Sequence, residues 1–328
     1  MKRIKLLLLS FAVIFALTAC EKQTENTTVN TTINTTVNTT INTTVNTDVT
    51  TESNSIPLPE EDATPTTFTF VDAFEESYEA VIDPDVKRHS YDFANLSSDD
   101  PTGPKSGSNH KVRTERLTYE DDNYTSMVGV DVSHHQGEID WESVKADGIE
   151  FVFIRIGFRG YGEAGNLKPD ENALTYLSEA KDAGLKVGVY FYSQAINETE
   201  ATEEAEFVLQ RLNGIKLDLP VVYDPEHVLD DVARTDDVTG EQFTKNTIAF
   251  ITAISDGGYQ PAIYANMKWE AFELDLSQFG DTPIWYADYE AWPQSPYDFS
   301  IWQYSNTGRV AGISGDVDLD LAFIKKLN

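Results

Sequence analysis

From Val128 onward, short runs of apolar and β-branched residues alternate with amphipathic stretches. Val128-Gly129-Val130 precedes Asp131, Phe151 to Ile154 precedes Arg155, and Val187 to Tyr192 forms a third run. Leu219 to Tyr223, Ala262-Ile263-Tyr264, Ile284 to Ala287 and Ile301 to Tyr304 complete the set. Runs this short and this apolar predict strands buried on both faces. Between the earlier runs the period changes to that of a helix. Ala173 to Ala183 is one helix, stopped by Gly184. Asn197 with Glu200 opens a second with a capping-box pattern, carrying Ala201, Ala205, Val208, Leu209 and Leu212 on one face and ending at Gly214. Thr239 with Gln242 opens a third, with Phe243, Thr247, Ile251 and Ile254 turned inward and Gly257-Gly258 as its stop. Strand and helix in alternation predict a parallel sheet. The last strands are joined by turn-rich pieces such as Ala291 to Pro296. The pattern therefore predicts an α/β barrel of TIM type, about 200 residues long, with its final helices reduced.

Polar and aromatic residues stand at the ends of these runs. Asp131, Arg155, Tyr192, Asp224, Tyr264, Asp288 and Gln303 each follow an apolar stretch. A parallel barrel gathers its strand ends onto one face, where active sites lie. The stretch Leu219 to His227 is the most informative. Side chains alternate along a strand, so Asp224 and Glu226 project to the same side. Pro225 between them lacks an N–H and should end the ladder there, leaving Glu226 at the strand's mouth. Two carboxylates in that position suit acid/base work on a sugar bond. An N-cap followed by a surface acid is the plainer alternative for these two residues alone.

The front of the chain is of a different kind. Residues 1–19 pair a basic start, Met1 to Lys5, with an apolar run from Leu6 to Leu17, too short for a comfortable membrane span. Leu17-Thr18-Ala19-Cys20 then resembles a bacterial lipoprotein signal, in which Cys20 is lipidated after cleavage. Export followed by anchoring at the outer face of the cell membrane is expected, with secretion after an ordinary cleavage near Ala19 as the alternative. Cys20 is the single cysteine of the 328 residues, so no intrachain disulfide can form. Residues 26–49 repeat a four-residue Asn-Thr-Thr-apolar unit that cannot bury a core. Residues 20–65 read as a tether averaging roughly 40 Å and reaching roughly 150 Å when stretched. Residues 66–125 are less defined. Phe68, Phe70, Phe74, Tyr78, Val81 and Ile82 predict a short helix or strand lying on the domain, and Ser97 to Lys111 reads as loop. The barrel is expected over 126–328.

Charge narrows the partners. Lys and Arg number 24 against 55 Asp and Glu, a net −31, and removal of the basic start makes the mature chain more negative still. Nucleic acid and anionic lipid are excluded as electrostatic partners. Membrane contact is expected only through the lipid anchor, and the protein is expected to be a monomer.

The run Val130-Asp131-Val132-Ser133-His134-His135-Gln136-Gly137-Glu138-Ile139-Asp140-Trp141 sharpens the picture. Together with Phe153-Ile154-Arg155, Val187 to Tyr190, Leu219 to Glu226, Gly258-Tyr259, Ile301 to Tyr304 and Gly315 to Asp320, it resembles the family 25 glycoside hydrolases, lysozymes acting as N-acetylmuramidases. The resemblance runs in order from Met127 to Asn328. It implies a flattened, TIM-like barrel of eight strands, and cleavage of the β-1,4 bond between N-acetylmuramic acid and N-acetylglucosamine in peptidoglycan. By position it implies Glu226 as general acid, Asp224 as its partner and Asp131 and Asp318 as further acids of the site. Pro225 and Asp320 depart from the family's usual aliphatic residue and Asn, and neither removes an acid. Tyr190, Tyr192, Tyr264, Trp285 and Trp302 are candidates to stack on sugar faces, with Arg155, Asp288 and Gln303 as polar contacts.

His134 and His135 beside an acid invite a metal reading with Asp224, Glu226 and His227. No His-x-x-x-His pair is present, and adjacent strand residues point opposite ways, so neither a metal nor a cofactor is expected. Two other functions stay open: a wall-binding module that grips glycan without cutting it, and a metal-dependent polysaccharide deacetylase using the histidines.

Overall fold

The computed structural model describes residues 65–99, 113–229 and 231–327. The expected export signal, Cys20 and the expected tether lie outside the described residues. Ahead of the barrel, β1 (Thr67–Val71) pairs antiparallel with β2 (Ser77–Val81), and β3 (Leu96–Ser98) with β4 (Leu117–Tyr119). The aromatic spacing at 68, 70 and 78 thus folds as a hairpin. Phe70 stacks on Tyr78 at 5.4 Å, and both meet Phe272 of the barrel. Ser97 and Ser98, expected in a loop, belong to β3 because they pair with Leu117 and Thr118; the rest of that expected loop, from 100 on, lies outside the described residues.

The barrel strands are β5 (Tyr124–Val132), β6 (Phe151–Arg159), β8 (Lys186–Ser193), β9 (Val221–Pro225), β10 (Pro261–Asn266), β11 (Ile284–Ala287), β12 (Ile301–Gly308) and β13 (Val317–Lys325); β7 (Leu167–Pro169) is a short addition to β6. They run around the barrel as β5-β13-β12-β11-β10-β9-β8-β6, and β6 pairs back to β5 to close it. The first strand starts at Tyr124, so the boundary expected at 125/126 falls inside β5.

Four helices cover the early strands: α1 (Trp141–Ala146), α2 (Ala173–Asp182), α3 (Glu198–Leu212) and α4 (Gly240–Asp256). The Asn197 side chain caps α3 by accepting from the Glu200 N–H, and Thr239 caps α4 by accepting from Gln242. Glu200 returns its bond to the N–H of Ile196, one residue earlier than a capping box would have it. After β10 the connections shrink to a π-turn (Trp269–Glu273) and a 3₁₀ turn (Leu276–Phe279), and residues 288–300 between β11 and β12 hold no helix.

One strand departs from the all-parallel expectation. β13 runs antiparallel to both of its neighbours, β12 and β5. A parallel return needs a crossover of a dozen or more residues, and only 309–316 separate β12 from β13. The chain therefore turns back, and β13 begins at the end of the barrel where the other strands finish.

Inside the barrel, Phe151, Phe153, Val222, Ala262, Tyr264, Trp285 and Ile301 form a packed plug. Glycines make room for it: a Cβ at Gly129 would lie 2.2 Å from the Phe151 ring, and one at Gly188 2.4 Å from Phe153. The larger apolar layer lies outside, between strands and helices. The plug confines polar chemistry to one mouth.

Candidate active site

Barrel closure turns every second side chain inward. Asp131, Arg155, Tyr190, Tyr192, Asp224, Tyr264, Trp285 and Gln303 all share the inward parity of the plug, and Glu226 follows one alternation beyond Asp224. Asp318 and Asp320 join them from the first residues of the reversed β13, with Asp318 directly opposite Asp131. The ladder of β9 ends at Pro225, as its missing N–H requires, and leaves Glu226 at the mouth.

These groups form one network. Gln303 accepts hydrogen bonds from the hydroxyls of Tyr264 (2.8 Å) and Tyr289 (2.9 Å) on its Oε1. That commits its Nε2 to donate to Asp131 Oδ2, at 2.7 Å. Trp285 donates its indole N–H to Asp320 Oδ1 at 2.8 Å, while Asp320 Oδ2 is buried without a partner. Asp224 is buried too, and its Oδ1 likewise has no partner. Arg155 is held by Asp170 (Nε to Oδ2, 3.1 Å) and by His134 (2.7 Å to Nδ1), and its charge reaches Asp224.

Crowded carboxyls in a desolvated place resist ionising. Burial, then the charges of Asp318, Asp320 and Asp224, push Asp131 well above the usual carboxylate range, although the Gln303 N–H works the other way. Burial and Glu226 push Asp224 well up, against the pull of Arg155. Burial and Asp318 raise Glu226 to about 7, and burial raises Asp318 to about 7. Asp320 is pushed well up by burial and Asp318, against the indole N–H of Trp285.

A cleft of about 270 Å³ opens at this mouth. Among the described residues, Glu226 is the one of the four expected acids that lines it, beside Tyr264, Asn266 and Tyr289. Glu226 and Asp318 are half-buried, whereas Asp131 and Asp224 are buried.

Three expected sugar contacts need correction. Trp285 is only 1% exposed, stacked on Phe153 at 4.7 Å inside the plug, so it is the floor beneath the acids and offers no open face. Trp302 is fully buried on the outward parity, with its N–H donated to the carbonyl of Asp288. Asp288 lines the cleft but spends its oxygens on the turn that follows β11, accepting from Tyr286 OH and from the N–H groups of Glu290 and Gln294. It holds a wall in place. His134 turns to Asp170 and Arg155, and His135 is exposed, so the histidine pair does not converge with Asp224 and Glu226.

Sequence reasoning passed over Tyr289, Asn266 and the structural part of Asp320. Counting by twos past the end of β11 reaches Tyr289, and counting by twos from Asp318 reaches Asp320. That signal was present in the chain.

Residues 130–313 match the glycosyl hydrolases family 25. The chain belongs to that family. The chain is 30% identical over 195 residues to the autolytic lysozyme of Clostridium acetobutylicum, covering 59% of this chain and 55% of that protein. It is 31% identical over 212 residues to lysozyme M1 of Streptomyces globisporus, covering 59% of this chain and 67% of that protein. The chain thus spans about half the length of the first relative and two thirds of the second. The fold is similar to a family 25 glycosyl hydrolase from Bacillus anthracis, with a TM-score of 0.50 at 22% identity, over 68% of this chain and 96% of that one.

Proposed function

We propose that the protein is a cell-wall muramidase that hydrolyses the β-1,4 bond between N-acetylmuramic acid and N-acetylglucosamine in peptidoglycan. The observation that carries this reading is Glu226. It is a half-buried carboxyl on the wall of an open cleft, raised to about 7, beside a buried Asp224. A leaving sugar oxygen needs a proton, and an acid with a pKa near the working pH supplies it best. Two of the relatives are named lysozymes, which supports peptidoglycan as the substrate.

Glu226 acts as the general acid. Asp224 assists through the substrate by orienting the 2-acetamido group, whose oxygen attacks the anomeric carbon as the glycosidic bond breaks. The proton leaves Glu226 for the departing oxygen, and water later opens the ring-fused intermediate, returning a proton to Glu226. Burial and the carboxyl of Asp318 keep the proton on Glu226 by raising its pKa. The histidine geometry gives the deacetylase reading no support.

The wider setting is part of the proposal. Cys20 carries a lipid, the Asn/Thr repeat is a stalk, and the barrel works as a monomer on glycan at the outer face of the membrane. Digestion of purified peptidoglycan with mass analysis of the fragments tests the activity. Reducing ends on N-acetylmuramic acid are expected; acetate release, or binding without new reducing ends, would overturn it.

A further inference from the structure

The β1–β2 hairpin precedes the residues that match the family, yet its tip reaches the cleft. Asp72, Ala73 and Phe74 line the same cavity as Glu226 and Tyr264. Of the hairpin's other aromatics, Phe70 and Tyr78 turn toward Phe272 and Phe68 packs against Phe70, whereas Phe74 is 65% exposed. An aromatic ring so placed on an otherwise polar turn contributes little to folding, and loops held by a rigid scaffold are where binding residues gather.

This turn is held firmly. Asp72 Oδ1 accepts from the N–H groups of Phe74 (2.9 Å) and Glu76 (3.0 Å), its Oδ2 accepts from Tyr78 OH at 3.1 Å, and Lys268 stands 3.5 Å from Oδ2. Glu75 adopts a left-handed φ of 66°, a conformation a non-glycine residue takes only where its surroundings impose it. The hairpin is also referenced to the catalytic mouth. Gln294 accepts from the Val71 N–H (2.8 Å) and donates to the Val71 carbonyl (2.9 Å), and its own N–H is bonded to Asp288 at the end of β11. The backbone that carries Phe74 is therefore fixed relative to Glu226 before any ligand arrives, which reduces the entropy cost of binding.

We propose that the hairpin tip is an added glycan subsite of the cleft, with Phe74 as the platform on which a sugar ring rests beyond the pair flanking the scissile bond. Pyranose rings present apolar C–H faces, and a preformed apolar wall among polar groups is what such a face fits. The identity of the sugar rests on the muramidase reading; the platform rests on the geometry of the hairpin.

Binding of a hexasaccharide of alternating N-acetylglucosamine and N-acetylmuramic acid, measured calorimetrically in the Glu226→Gln protein, tests the subsite without consuming the ligand. Adding Phe74→Ala weakens the affinity about tenfold, and Phe74→Trp in its place restores it. Equal affinities with and without Phe74, or no binding of the hexasaccharide at all, would overturn the proposal. Turnover of peptidoglycan by the wild-type protein is measured alongside. Turnover with no effect of Phe74 on binding removes the subsite and leaves the muramidase; binding through Phe74 without wild-type turnover does the reverse.

Discussion

Asp318 and Asp131 are paired residues on adjacent antiparallel strands, β13 and β5, at the mouth of the barrel. Directly opposed side chains of this kind stand roughly 4.5–5.5 Å apart at Cβ, where two like charges repel. Both carboxyls resist ionising: both pKa values are raised, that of Asp131 in part by Asp318 itself. Asp318 raises Glu226 as well. A reversed strand thus adds a carboxyl to the site and holds protons there.

Glu226→Gln keeps the shape of the acid and removes its proton. A rate loss of roughly 10²–10⁴-fold is expected, with an unchanged melting profile at pH 4, where the Glu226 carboxyl is protonated in both folded and unfolded chain, since Glu226 lies beyond the last residue of β9. In the wild type the rate should fall on the alkaline side with a midpoint near pH 7, as Glu226 loses its proton. A pH–rate profile that stays flat to pH 9, or full turnover from the variant, would show that another group is the acid.

If the acetamido group is the nucleophile, glycan whose muramic acid lacks its N-acetyl group will resist cleavage. Asp224→Asn will be severely impaired, and the first-formed product will keep the β configuration. NMR of fresh product decides this: an α-anomer appearing first means direct attack by water.

Glu270 lies buried outside the acid cluster, with one oxygen bonded to Ser295 and the other unpartnered. Burial raises its carboxyl to about 8. The folded protein then keeps a proton that the unfolded chain releases above about 4.5, so stability is lost as pH rises from about 4.5 through about 8. Glu270→Gln should leave the melting temperature unchanged at pH 4 and raise it by roughly 2–8 °C at pH 8.5. Equal melting temperatures at the higher pH would place the proton elsewhere.

Cys20→Ser is expected to release the protein into the medium with its activity on soluble fragments intact. So acidic a domain is repelled by wall polyanions, and the proposed lipid anchor would keep its local concentration high without attraction. Recovery of the variant in the membrane fraction would refute lipidation at Cys20.

The local features of this chain were legible because their causes are local. Asn197 and Thr239 cap helices through bonds three residues away, β-branched runs form strands, and Pro225 ends a ladder because it has no N–H to give. Asp224 and Glu226 share a side for the same reason: alternation is a property of the strand alone. Which side is inside is not. Closure of the barrel put Trp302 on the outer face and Asp288 on a turn, buried Trp285 under the acids, and brought the tip of the β1–β2 hairpin to Glu226 across more than 150 residues of chain. The short link before β13 reversed that strand and set Asp318 against Asp131. The raised pKa values follow from burial and from neighbours distant in the chain. Sequence by itself determined which acids the protein carries and in what local geometry; the tertiary structure decided which of them are desolvated, which face one another, and which one opens onto the cleft, because desolvation and Coulomb repulsion depend on distance in space rather than along the chain.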